Sequence, residues 1–292
     1  MNQLEFLANG ELDFTVSKQK MYKEASNLTD YDETPFYTTV NDATGEALGP
    51  VRGRYTVLQN DELLKTILDK LEPSSYELDE SRCGAFGGGK KIFFFIKLNK
   101  LLSIGADQAD VYLYALSSHD GSQRLVYGIS TRMHSCDNMF GILMSNKDNN
   151  YVVKHTKRIQ DQDSSFMNEM IDRNTNGLVS LFNIMRNYEA TPAVIESFLN
   201  IVGAIEGKKR VATILKDKRK ELQESIDSEM LDKGPTYYGL FNGLTHYLTH
   251  KHKEYTNWSS DYEMLIGNSN DFSKKGLSLI VADMNACGIN LN

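Results

Sequence analysis

Three runs of strand character follow one another in the middle of the chain, and any fold must pair them. Lys91 to Leu98 contains the apolar block Ile92-Phe93-Phe94-Phe95-Ile96. Val111 to Ser117 alternates Val111, Leu113 and Ala115 against Tyr112, Tyr114 and Leu116, and Leu125 to Thr131 follows. Aromatic and β-branched residues suit a pleated, half-buried surface. Between the second and third runs stands His119-Asp120-Gly121-Ser122. Asp-Gly between strands signals a hairpin whose two turn residues both take positive φ. The middle of the chain reads as an antiparallel meander.

The flanks read differently. Residues 13–60 look extended, with a strand at Phe36–Val40, turn residues at Asn41–Gly45 and a second strand at Arg54–Leu58. A helix follows, capped by Asp61, carrying Leu63, Leu64, Ile67, Leu68 and Leu71 at helical spacing and stopped by Pro73. After residue 155 the pattern is helical. Phe166, Met170, Ile171, Leu178, Leu181, Phe182 and Met185 form an interrupted stripe. Thr191-Pro192 opens a helix that Gly207 can end. A charged helix spans Val211 to Met230, and a last one runs from about Tyr237 to His252. Strands followed by helices indicate an α+β fold. The expected architecture is an antiparallel meander over residues 36–131 with the Asp61 helix packed across it. It forms a core domain of residues 1–190, onto which a helical segment of residues 191–292 docks.

Composition excludes several classes. The 292 residues are 40% hydrophobic and 24% charged, a globular balance. The formal charge of −7 argues against a generally basic nucleic-acid coat. Its distribution is uneven. Residues 1–50 carry 3 Lys and Arg against 9 Asp and Glu, residues 51–160 carry 15 against 12, and residues 161–292 carry 14 against 18. An anion-binding surface is therefore expected in the middle. Cys83, Cys136 and Cys287 are too scattered for a disulfide framework or a zinc knuckle. Met1 to Leu12 mixes Glu5, Asn9 and Glu11 into its apolar residues, unlike a signal peptide. No apolar run approaches the ~20 residues of a membrane span. A cytoplasmic location is expected.

Four motifs bear on chemistry. Gly84-Ala85-Phe86-Gly87-Gly88-Gly89-Lys90-Lys91 satisfies the spacing of a P-loop, but Lys91 stands where Ser or Thr should hold magnesium, and a strand follows where a helix should. The segment reads as a glycine loop offering Lys90 and Lys91 to a phosphate backbone, or as a solvated loop entering a strand. His246 and His250 share a helix face near His252, without the metalloprotease glutamate. A surface helix face is the favoured reading there, and no metal is expected. Arg132, His134 and Cys136 would line one side of a strand, with Arg132 as an anion-binding group. Lys154-His155-Thr156-Lys157-Arg158 forms a basic cluster at the entry to the helical region, suited to phosphate or to solvent. Tyr55, Phe86, Tyr112, Tyr114 and Tyr127 interleave with these cations. Exposed aromatics of this kind stack on bases. No catalytic constellation or cofactor site emerges.

Several stretches together resemble the phage- and plasmid-encoded family of domain of unknown function 932. They are GEALGPVRGRYTVLQN (Gly45–Asn60), GAFGGGKKIFFF (Gly84–Phe95), SSHDGS (Ser117–Ser122), RMHSCDN (Arg132–Asn138), His155-Thr156 and YYGLFNGLTHY (Tyr237–Tyr247). The order of elements also resembles, in topology alone, the β-β-β-α core of Rad52-like single-strand annealing proteins. That likeness implies an ATP-independent protein that binds single-stranded DNA along a basic groove, pairs complementary strands and assembles into a homo-oligomeric ring or filament. A phage or host recombination or replication protein is then a further partner. The residues expected to contact nucleic acid are Arg54, Lys90, Lys91, Arg132, Lys154, His155, Lys157 and Arg158. The competing expectation is a non-catalytic regulator or counter-defence protein acting through protein contacts, with the same cations scattered or paired to carboxylates.

Overall fold

A short helix that the sequence did not announce opens the chain. α1 (Gln3–Asn9) is closed by a capping box: Asn2 accepts from the Glu5 N–H at 3.0 Å, and Glu5 accepts from the Asn2 N–H at 2.9 Å. The computed structural model describes residues 1–24, 30–133, 139–140, 151–155, 165–201, 212–252 and 268–290. Strands β1 (Val16–Glu24), β2 (Tyr31–Asn41) and β3 (Ala47–Arg52) form an antiparallel sheet in that order. The second strand therefore lies earlier than the expected Arg54–Leu58. The turn after Asn41 is short, so Ala47 returns to pair with Val40 and Arg52 pairs with Phe36. Arg54–Leu58 then leaves the sheet, and Leu58 is buried elsewhere in the same unit.

α2 (Asn60–Leu68) buries Leu63, Leu64 and Ile67. Asp61 is not its cap. The residue at the cap is Gln59, whose N–H reaches the Glu62 carboxylate, while Asp61 sits in the first turn, where its charge favours the helix dipole. The helix ends at Leu68, before Pro73, which starts a separate 3-10 turn.

The expected single sheet is divided in two. β4 (Tyr76–Phe86), β5 (Lys91–Ile104), β6 (Asp107–Ser118), β7 (Leu125–Met133) and β8 (Met139–Phe140) form the second sheet in sequence order, and β9 (Tyr151–Val153) pairs with β7. β4 escaped the sequence reading because Glu77 to Arg82 is polar. It is an edge strand, where charge is tolerated, and its pairing with β5 is irregular between Glu77 and Arg82. The glycine motif is thus the β4–β5 hairpin: Gly87, Gly88 and Gly89 all take positive φ (59°, 68° and 96°). Strand–turn–strand replaces the strand–loop–helix of a P-loop. The β6–β7 connection also departs from the expected turn. Gly121 takes positive φ (73°) but Asp120 does not. Instead Asp120 Oδ1 accepts from Ser122 N–H and Oγ–H, at 2.9 and 2.6 Å.

The helical part is more regular than its stripe suggested. α3 (Ser165–Asn187) is unbroken, and α4 (Pro192–Leu199) starts as expected, with Thr191 Oγ1 accepting from Val194 N–H at 3.2 Å. α4 ends at Leu199, and Gly207 lies outside the described residues. α5 (Ala212–Lys233) and α6 (Tyr237–His246) follow, the latter continued by a π-type turn over Tyr247–Lys251. A further helix, α7 (Asn268–Ala286), means that the Tyr237 helix is not the last.

The chain divides into two compact units that interleave in sequence. The first comprises residues 1–100, 112–128 and 146–172, and the second comprises 101–111, 129–145 and 173–292. In the first, Leu63, Leu64, Ile67, Phe94 and Ile96 are fully buried, and in the second Phe182, Phe198, Leu222, Ile226, Phe241 and Ile280 are. The second core depends on a close approach of α5 and α6. A Cβ at Gly243 would lie 2.5 Å from the Ile226 Cα, which is backbone and cannot swing away. Gly243→Ala gains about 1 kcal/mol of helix propensity but overpacks this contact. A net loss of about 1–2 kcal/mol is expected in urea unfolding of the full chain, and a variant as stable as the wild type would contradict the packing.

Candidate functional site

One end of the second sheet gathers the cations of the first unit. There β5 starts at Lys91, β6 ends at Ser118, β7 starts at Leu125, and β9 ends at Val153, which pairs with Leu125. The residues just past those strand ends are Lys90, His119, Arg124 and Lys154. The His119 N–H donates to the Lys90 carbonyl at 2.8 Å, fixing the two as neighbours. The segment leaving β3 crosses this end. Tyr55 donates its hydroxyl to the Ser118 carbonyl at 2.5 Å and stacks its ring on His155, with centroids 4.9 Å apart. The Thr56 N–H donates to the His155 carbonyl at 3.1 Å. Arg54 is thereby brought to the same end. Arg54, Arg124 and Lys154 are exposed, and Lys90 and Lys91 are partly so.

Of the expected contacts, Arg54, Lys90, Lys91 and Lys154 thus come together. Arg132 is half-buried and belongs to the second unit. Lys157 and Arg158, with His134 and Cys136, lie outside the described residues. Arg124 was missed. Only the β7–β9 register places it beside Lys154, and nothing in the local sequence announces that pairing.

His155 is not the cation expected. It is 8% exposed and belongs to a polar cluster beneath the charged rim. Its Nε2 lies 3.3 Å from Ser117 Oγ. Burial lowers its pKa, and the backbone of Thr56 and Gln123, which favours the charged form, does not reverse that. His119, 1% exposed, holds Nε2 at 2.9 Å from Asn60 Oδ1, so Nε2 is the protonated nitrogen. Asn60 Nδ2 in turn donates to the Leu12 and Phe14 carbonyls at 3.0 and 3.3 Å. Thr39 of β2 donates its hydroxyl to the His119 carbonyl at 2.7 Å. The His119 Nδ1 is buried without a partner, which suits a neutral ring. Burial pushes this imidazole down to about 4, the nearby His155 ring adds to the shift, and Asp120 opposes it.

These histidines make stability depend on pH. The folded ring refuses a proton that the unfolded chain accepts near pH 6.5, so stability is full above that value and is lost as pH falls toward 4. From His119 alone the loss between pH 7 and pH 5 is expected to be about 2 kcal/mol. Urea unfolding at both pH values checks this. His119→Gln should flatten the dependence, and an undiminished slope in that variant would contradict a neutral buried ring.

The second unit holds another polar group. Asp107 accepts from Tyr238 Oη at 3.0 Å and is paired with Arg186 at 3.4 Å and Lys233 at 3.5 Å. His246 Nδ1 lies 3.2 Å from Glu229, and the His250 ring meets His246 edge-on at 4.9 Å. His252 instead packs against Tyr247 and Phe272. The three histidines do not converge, and among the described residues no group of three His, Cys, Asp or Glu is arranged to hold a metal.

The residues that meet at the sheet end are drawn from the stretches singled out in the sequence: Arg54, Tyr55 and Asn60, then Lys90 and Lys91, then Ser117 to His119, then His155. No curated protein and no solved structure matches the chain. A family model described as Domain of unknown function (DUF932) matches residues 47–271 and includes all of those residues. The chain belongs to that family.

Proposed function

We propose that the protein binds single-stranded DNA and anneals complementary strands without nucleotide, working from the cytoplasm as a homo-oligomer. The observation that carries this reading is the gathering of Arg54, Lys90, Lys91, Arg124 and Lys154 at one end of the first unit. Clustered cations neutralise successive phosphates, and binding gains from the counterions they release. The acidic side chain closest to them in sequence, Asp120, turns its Oδ1 into the turn toward Ser122. The β-β-β-α order of the first sheet and α2 supports annealing at the level of topology only. The β4–β5 hairpin presents Lys90 and Lys91 without a helix N-terminus for a nucleotide, which fits a nucleotide-independent activity.

Binding of an unstructured oligonucleotide is expected to fall steeply with salt. At about −0.7 per phosphate contact, four contacts give a log–log slope near −3. Arg54→Glu with Lys154→Glu should weaken binding at least tenfold and flatten the slope, because both side chains are exposed and their loss spares the core. Lys216→Glu on α5, also exposed, should change little. Annealing of labelled complementary strands should proceed without ATP and be unaffected by magnesium–ATP. Equal losses from both changes, or no binding at low salt, would overturn the reading in favour of a regulator acting through protein contacts.

A further inference from the structure

β1 and β2 continue past the sheet they build. β3 pairs with β2 only from Phe36 to Val40, so among the described residues Tyr31 to Glu33 pair with β1 alone, beyond an irregularity at Thr34 and Pro35. Three paired residues at ~3.3 Å each make a two-stranded ribbon about 10 Å long. Such a ribbon is marginal in water unless something covers it. Yet Tyr22 and Tyr31 are 55% and 75% exposed on it. Tyr22 stands opposite Glu33, and Glu24 opposite Tyr31, so both rings lie on one face as diagonal neighbours.

The ribbon begins where the cationic end stops. Lys18 Nζ donates to the carbonyls of Gly53 and Tyr55, both at 3.0 Å, and so grips the chain on either side of Arg54. Lys18 and Lys20 then lie over the Tyr37 ring at 4.7 and 5.0 Å. Tyr22 follows Lys20 by two residues on β1, across a register shift, on the face that carries Glu33, the ion-pair partner of Lys20. Cations and rings thus alternate outward from Arg54 to Tyr22 and Tyr31. On the ring face Lys20 pairs with Glu33 at 3.1 Å, while Glu24 stands opposite Tyr31; on the opposite face Lys23 pairs with Asp32 at 3.6 Å. The strand edges are unsuited to another strand: β1 carries lysines beside a register shift at Lys20/Tyr22, and β2 carries Pro35. The faces of the rings remain, and every unpaired base offers a π-face to them.

Resting on the function proposed above, we infer that Tyr22 and Tyr31 form a base-stacking platform that makes the site selective for single strands over duplex. The cations alone meet the phosphates of either form. The rings reach only bases that are not already stacked in a duplex.

The test compares the full-length protein on an oligothymidine and on a duplex of equal length. Tyr22→Ala with Tyr31→Ala should weaken single-strand binding about tenfold or more while leaving duplex affinity and the single-strand salt slope unchanged. Tyr22→Phe with Tyr31→Phe keeps the rings and should retain wild-type binding. Unchanged single-strand affinity in the alanine variant, or equal losses on both nucleic acids, would overturn the platform, and a change of oligomeric state in that variant with unaltered binding would assign the ribbon to a second copy of the chain. The platform and the cationic end fail separately. If the alanine variant is impaired but Arg54→Glu with Lys154→Glu is not, the cationic end falls and the ribbon stands. If the wild type binds neither nucleic acid, both fall.

Discussion

The first unit depends on burying two imidazoles without charging them. His119 and His155 lie just past the ends of β6 and β9, and each ring is held by groups from other segments: Asn60 at the start of α2, Ser117 of β6, and Tyr55 on the segment between β3 and α2. Thr39 ties β2 to the His119 carbonyl. The first sheet and the end of the second sheet that lies in this unit are thereby fastened by neutral hydrogen bonds and ring contacts. A buried polar group is costly when unmatched and specifying when matched. Here most donors and acceptors are matched, and the orphaned Nδ1 atoms are the ones that a neutral imidazole can leave bare.

This arrangement explains why the cations stand where they do. Arg54, Lys90, Arg124 and Lys154 are sequence neighbours of the cluster, placed by Tyr55, His119, the β7 start and His155 respectively. A charged pair of histidines beneath them would add positive charge in a site already rich in it. Neutral rings avoid that repulsion and let the rim take its positions from rigid backbone. The rim is then a set of solvated cations on a fixed frame, the arrangement that favours a polyanion over a single small anion.

Much of the architecture was legible because it is local. The β5–β6–β7 meander follows from alternating and apolar runs, the Thr191-Pro192 cap from its chemistry, and the failed P-loop from Lys91. What escaped was non-local or masked by polarity. β4 hides in Glu77–Arg82 because an edge strand needs no apolar alternation. The second strand was misplaced to Arg54–Leu58 because Tyr55 and Leu58 are apolar for burial in the cluster region, not for pairing. α7 was missed although Phe272, Ile280 and Met284 bury one side of it, because Ser269 to Lys275 is mostly polar. At the site, basic residues were recognised by composition, but His155 was misread as a cation. Burial is a property of the fold, and Lys154 beside it looks no different in sequence.

Hydrogen exchange of the full chain, with and without saturating oligonucleotide, tests the central claim most directly, since it locates the contact without any substitution. New protection is expected at residues 53–56, 87–91, 119–124 and 153–155, with α5 and α7 unchanged. Protection confined to the second unit, with those four segments unaltered, would contradict it.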